Sequence, residues 1–175
     1  MRRMARFVLT LVGVDRAGLV ATVADIVSAH RGNWERSQLA ELGGSFAGIV
    51  EITAPDDRAG DLREALECLD GLATITVPAD SGGASEDADA PATLTLTVLG
   101  NDRPGIVRDV TAALVVHELN IDRMTTEVRD AAMSGGSLFE ASVIAQVPRG
   151  VDLGALRADL ERIAAEIQVD IALSA

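Results

Sequence analysis

The sequence predicts an α+β protein made of two tandem ferredoxin-like βαββαβ units, each an antiparallel sheet with both helices on one face. Three observations predict it. Residue n laid over residue n+87 aligns 7–36 with 94–123 without a gap, with 11 identities in 30 pairs, where chance would give roughly two or three. Within each copy the hydrophobic spacing switches from strand-like to helix-like and back, twice. Between the copies lies ADSGGASEDADAPA, without a large apolar residue.

The elements follow in order. FVLTLVGV (7–14) and LTLTVLGN (94–101) are β-rich runs that suit strands packed on one face. Asp-Arg-x-Gly then breaks the strand. Apolar residues recur at helical spacing from there: Leu19, Val20, Val23, Ile26 and Val27, then Ile106, Val107, Val110 and Leu114. Pro104 fits the first turn of a helix, where its missing N–H costs nothing. His30 and His117 end these helices, and Asn33 and Asn120 follow just beyond. A strand to about Glu41 or Arg129 turns at a Gly-Gly pair into another, 46–54 or 138–147. In these strands Phe46, Gly48, Val50 and Ile52 share a face, as do Phe139, Ala141, Val143, Ala145 and Val147. A second helix is expected over 58–69 and 152–167, the latter with a stripe of Leu153, Leu156, Leu160, Ile163 and Ile167. ATITVP and VDIALS close the units.

The domain boundaries expected are 1–78 and 93–175, joined by a flexible acidic linker over 79–92 that cannot bury itself. The N-terminal arginines and apolar stretch have a twin inside the chain and no small-x-small cleavage site before Asp15, so they read as a strand and not an export signal. With both helices on one face, the other face of each sheet needs cover. Its expected residues are small and apolar, which points to pairing of the sheets with each other or with a second chain as a homodimer.

Composition narrows the function. The formal charge is −12, every basic residue is Arg, and the two copies and the linker carry −3, −5 and −4. That is the wrong sign for a nucleic-acid or anionic-membrane binder. A βαββαβ unit that binds RNA also needs stacking aromatics, and the chain has three Phe and no Tyr. One cysteine, Cys68, excludes an internal disulfide and a cysteine zinc site; at helical spacing from Leu62, Leu66 and Leu69 it reads as a buried structural thiol. G-x-S-x-G, P-loop and G-x-G-x-x-G motifs are absent, and the carboxylates scatter over helix surfaces. No cofactor, metal or catalytic group is expected.

The repeated loop is the candidate site. Gly18 and Gly105 permit a sharp bend and close approach, and the next N–H groups belong to a helix N-terminus, which lacks intrahelical acceptors and attracts a carboxylate. Asp15 and Asp102 read either as turn or N-cap residues or as partners for a ligand ammonium. Arg16 and Arg103 read as solvated or interface charges, or as partners of a ligand carboxylate. Asn33 and Asn120 lie at the opposite pole from their own loop. They read either as helix terminators in left-handed conformation or as ligand contacts reaching the loop of an inverted neighbour. His30 and His117 suit helix C-termini as favourable charges, and Trp34, in place of Ile121, suits packing.

DRPGIV (102–107), a helix and LNID (119–122) resemble the ACT domain, a small-molecule regulatory module attached to amino-acid metabolic enzymes. Copy one, DRAGLV with GNWE, is a looser match, with Ala17 for Pro and Trp34 for an aliphatic residue. Two such copies with nothing else attached resemble the glycine cleavage system transcriptional repressor group. The resemblance implies a cytoplasmic, non-enzymatic sensor of a small amino acid, plausibly glycine or serine, acting in transcriptional regulation through a separate DNA-binding protein. It places the ligand at Asp15, Arg16, Ala17, Gly18, Leu19 and Asn33 in copy one. In copy two it places the ligand at Asn101, Asp102, Arg103, Pro104, Gly105, Ile106 and Asn120. The alternative is an adaptor whose ACT fold binds proteins and no ligand.

Overall fold

Strand β1 (Met4–Val14) runs into helix α1 (Leu19–Ala29), then β2 (Asn33–Leu42), β3 (Ser45–Pro55), a 3-10 turn (Asp56–Arg58), α2 (Ala59–Glu67) and β4 (Leu72–Pro78). The second copy repeats the order: β5 (Ala92–Asn101), α3 (Ile106–Val116), β6 (Asn120–Ala131), β7 (Gly136–Val147), α4 (Leu153–Ile167) and β8 (Val169–Ser174). This computed structural model describes residues 3–79, 92–131 and 136–174. The chain divides into two compact units, Met1–Ser85 and Glu86–Ala175. Residues 80–91 of the expected linker, and Gly135 of the second Gly-Gly pair, lie outside the described residues.

Each unit is a four-stranded antiparallel sheet, ordered β2-β3-β1-β4 and β6-β7-β5-β8. Alternation along the central strands decides which face is covered. Leu9 and Leu11 of β1, with Phe46, Val50, Ile52 and Ala54 of β3, turn towards Leu19, Val23 and Val27 of α1 and Leu62 and Leu66 of α2. In the second unit Leu94, Leu96, Val98 and the expected row from Phe139 to Val147 meet Ile106, Val110 and Leu114 of α3 and Leu156 and Leu160 of α4. Trp34 packs against the first core.

The open faces differ from each other: the first keeps the expected apolar character, though with larger residues, and the second departs from it. The first sheet shows Val12, Ile49, Ile75 and Val77 to solvent. The second shows Thr93, Thr97 and Thr125, with Ser142 between, and the ion pair Arg129–Glu140 towards its β6 edge. The cause is the identity of the outward residues: in copy two Thr93, Thr95 and Thr97 interleave with the buried Leu94, Leu96 and Val98. Copy one's FVLTLVGV alternates in the same way but puts Val8, Val12 and Val14 on the open face, where copy two has Thr95, Leu99 and Asn101.

Four further expectations are corrected. Cys68 is exposed: it is the C-cap of α2, turned away from the Leu62–Leu66 stripe. Helix α2 is shorter than expected at both ends: Arg58 belongs to the 3-10 turn before it, and Cys68 caps it so that Leu69 lies beyond. Pro104 precedes Gly105, the N-cap of α3, and so lies outside the first helical turn. The left-handed helix terminators are Arg31 and Glu118, each at φ 58°. Asn33 and Asn120 open strands instead. The reason is a backbone motif that needs the αL residue directly after the C-cap, with Gly32 N–H donating to Val27 O and Leu119 N–H to Leu114 O.

Candidate functional site: the two β-strand-to-helix loops

Both loops are anchored in the same way. The Asp15 backbone N–H donates to Gly44 O at 2.9 Å, and Asp102 N–H to Ser137 O at 2.8 Å, so each loop starts from the hairpin of the neighbouring strands. Gly18 and Gly105 are the N-caps of α1 and α3, at φ 88° and 96°, a left-handed geometry that glycine adopts without strain. Neither helix has a side-chain cap; Asp15 and Asp102 stand too early in the loop for that role, which corrects their N-cap reading. The first intrahelical bonds are Thr22 N–H to Gly18 O and Asp109 N–H to Gly105 O. The amides of residues 19–21 and 106–108 therefore have no intrahelical acceptor, and none takes another acceptor among the described residues. Three N–H groups left over at the positive end of a helix favour a nearby negative charge.

Around this shared frame the copies diverge. Asp15, Arg16, Ala17 and Gly18 are exposed, and a side chain at Gly18 would meet nothing within 4 Å. Arg16 donates to the Asp70 carbonyl at 2.7 Å, tying the loop to the turn between α2 and β4. In copy two Asn101, Asp102 and Pro104 are exposed, with Arg103 and Gly105 partly covered. There Arg103 and Arg108 share the Asp109 carboxylate, at 3.4 and 2.8 Å. Donation from Arg108 first, then from Arg103, holds that carboxyl below its ordinary range. Thr22 stands where copy two has Asp109, and its hydroxyl donates to Gly18 O at 3.0 Å. Leu19 and Ile106 are buried in the cores, so only their backbone faces the loop.

Asn33 and Asn120 are not with their loops. Asn33 pairs with Thr53, itself opposite Arg6, while the loop leaves from Val14; that is roughly 25 Å along β1 at about 3.3 Å per residue. Each Asn belongs to a polar cluster at a β-bulge. Asn33 Nδ2 donates to Glu35 Oε1 at 3.1 Å, which also accepts from the Thr53 hydroxyl at 2.7 Å. These two donors, Thr53 first, hold the Glu35 carboxyl below its ordinary range. In copy two Asn120 and Gln146 both donate to Asp122. The bulges fall between Trp34 and Arg36 and between Ile121 and Arg123. Glu35 and Asp122 were absent from the expected site; the signal was the repeated Asn-x-acid-Arg of NWER and NIDR. Asp109 carried no repeated signal, because copy one has Thr there.

His30 and His117 are C-caps. His30 Nδ1 donates to Ile26 O at 2.8 Å, and His117 Nε2 contacts Asp159 of α4 at 2.8 Å. Among the described residues no group of His, Cys, Asp and Glu could hold a metal, and no helix is long and apolar enough to cross a membrane.

Comparison with known proteins agrees with this geometry. The family model for the ACT domain matches residues 5–77, the first copy. The glycine cleavage system transcriptional repressor of Escherichia coli (strain K12) is 22% identical over 160 residues, 91% of this chain and 84% of that protein. A UPF0237 protein of Methanopyrus kandleri is 35% identical over 66 residues, 37% of this chain and 73% of that one. The crystal structure of an unknown protein from Galdieria sulphuraria superposes with a TM-score of 0.86 at 32% identity, over 98% of both chains.

Proposed function

We propose that this chain, whose first copy matches the ACT-domain family over residues 5–77, is a non-enzymatic regulatory protein that binds a small free amino acid at its two loops. One observation carries the reading, and it is made twice: a left-handed glycine N-cap followed by three backbone amides without acceptors. The α-carboxylate takes those amides. Asp15 or Asp102 takes the ammonium. Because one unit holds such a ligand from one side only, the other side is closed by Asn33 or Asn120 of an inverted second copy in a homodimer. Glycine and serine are the ligands of choice, since their side chains ask for no further pocket. The output is to a protein partner, such as a DNA-binding regulator of amino-acid metabolism in the cytoplasm; the similarity to a transcriptional repressor favours a role in transcription, and the charge of −12 favours a protein target over DNA.

A thermal-melting panel of the twenty amino acids tests this. Ligand at 100 times its Kd adds about 2.7 kcal/mol of stability, so glycine or serine is expected to raise Tm clearly. A panel in which no amino acid moves Tm rejects sensing. The second reading, a ligand-free adaptor, would then stand, favoured by the apolar outer face that Val12, Ile49, Ile75 and Val77 give the first sheet.

A further inference from the structure

We propose that the cleft between α4 and the edge strand β8 is a separate binding site for a free α-amino acid with an aliphatic side chain. It shares no residue with the loops and does not depend on their role. The cleft encloses about 210 Å³ and is lined by Arg157, Leu160 and Glu161 of α4 and by Ile171, Ala172 and Leu173 of β8. That is below the roughly 300–1,000 Å³ of sites for drug-sized molecules, and it suits a single amino acid. Its floor is aliphatic: Leu160 is buried, and Ile171 and Leu173 are half-buried against the core.

The charges at its mouth are unusual for this protein. Arg157 and Glu161 stand one helical turn apart, at a spacing that lets such a pair close on itself. The same Leu-Arg-x-x-Leu-Glu pattern occurs in α2, as Leu62, Arg63, Leu66 and Glu67. There Arg63 Nε reaches Glu67 Oε1 at 2.7 Å. Further along α4, Arg162 closes on Glu166 at 3.1 Å. Arg157 and Glu161 alone of the three pairs stay open, with no ion pair or side-chain hydrogen bond among the described residues. The strand beneath also differs between copies. Leu72 and Val169 occupy matching places opposite Gly13 and Gly100; two and four residues on, copy one has Thr74 and Thr76 where copy two has Ile171 and Leu173. Copy one thus has a closed pair over hydroxyls, and copy two an open pair over hydrocarbon.

An α-amino acid carries a carboxylate and an ammonium on one carbon. The Arg157 guanidinium takes the first, Glu161 takes the second, and the aliphatic side chain lies on Leu160, Ile171 and Leu173. A peptide cannot satisfy both charges at one residue, so the site selects the free amino acid.

Calorimetric titration of the full chain with leucine tests the proposal, using N-acetylleucine, which lacks the ammonium, and leucinamide, which lacks the carboxylate. Leucine is expected to bind, and each analogue to bind at least about tenfold more weakly, the scale of one lost charge-assisted hydrogen bond. Arg157→Gln and Glu161→Gln are each expected to weaken leucine to the same degree. Both residues are exposed, so the ligand-free Tm of each variant should match the parent, which separates a lost site from a lost fold. No leucine binding, or leucine binding unchanged in both variants, overturns the proposal. Binding that survives these variants and is lost on altering Gly105 would do so while leaving the loop reading intact.

Discussion

Arg31 and Glu118 hold a backbone geometry that side chains resist. An L-residue in the left-handed region costs roughly 1–2 kcal/mol, and Glu118 also places a negative charge at the negative end of α3. Glu118→Gly is expected to stabilise the protein by about 0.5–1 kcal/mol, the strain relieved less the added freedom of the unfolded glycine; a rise in the urea midpoint would show it, and a fall would contradict it. Thr76 is buried, and its hydroxyl has no partner among the described residues. Thr76→Val keeps the shape and removes an unsatisfied group, so it should be neutral or add about 1 kcal/mol, read in the same titration. Residues at this scale were unevenly legible. Gly18 and Gly105 announced their role because bends demand glycine. Arg31 and Glu118 did not, since left-handed caps are recognised by Gly or Asn, and Asn33 and Asn120 two residues on drew that reading to themselves.

Two helix ends are held by single side chains, at the start of α4 and at the end of α3. Asp152 caps α4, accepting from Gly154 N–H at 2.8 Å and Ala155 N–H at 3.1 Å. Asp152→Ala should cost about 1 kcal/mol, measured as a lower denaturation midpoint. His117 at the end of α3 holds Asp159 of α4, and Arg162 approaches the same carboxylate at 3.4 Å. Donation from His117 first, then Arg162, keeps the Asp159 carboxyl below its ordinary range. A carboxyl lowered on folding stabilises the fold above its unfolded pKa near 4, and that contribution is lost as pH falls through the folded value. Asp159→Asn should therefore lose Tm less steeply than the parent from pH 5 down to pH 3; parallel curves would contradict the contact. Elements were legible where alternation or helical spacing was long, as in β7 and α4. They were misjudged where short-range events intervened: a 3-10 turn took Arg58 from the start of α2, and the C-cap at Cys68 ended the helix before Leu69.

The duplication is the organising fact of the molecule. It was readable because the repeated positions do backbone work in both copies. Gly18 and Gly105 bend the loops. Gly13 and Gly100 sit where a side chain would come within 2.5 Å of Gly71 O or 2.6 Å of Val169. What the repeat concealed is where the copies part: an apolar outer sheet face against a hydroxyl-bearing one, a loop open at Gly18 against one braced by Arg103, Asp109 and Arg108. Those differences reside in single side chains whose neighbours come from other strands and helices, and pairing of that kind is invisible along a linear chain. The central claim is that the bare amides after Gly18 and Gly105 hold an amino-acid carboxylate. Its most direct test is an amide-resolved NMR titration of the labelled chain with glycine and with serine. The account predicts saturable shifts in the N–H signals of residues 19–21, 106–108 or both. Signals there that stay fixed up to high millimolar amino acid would contradict it.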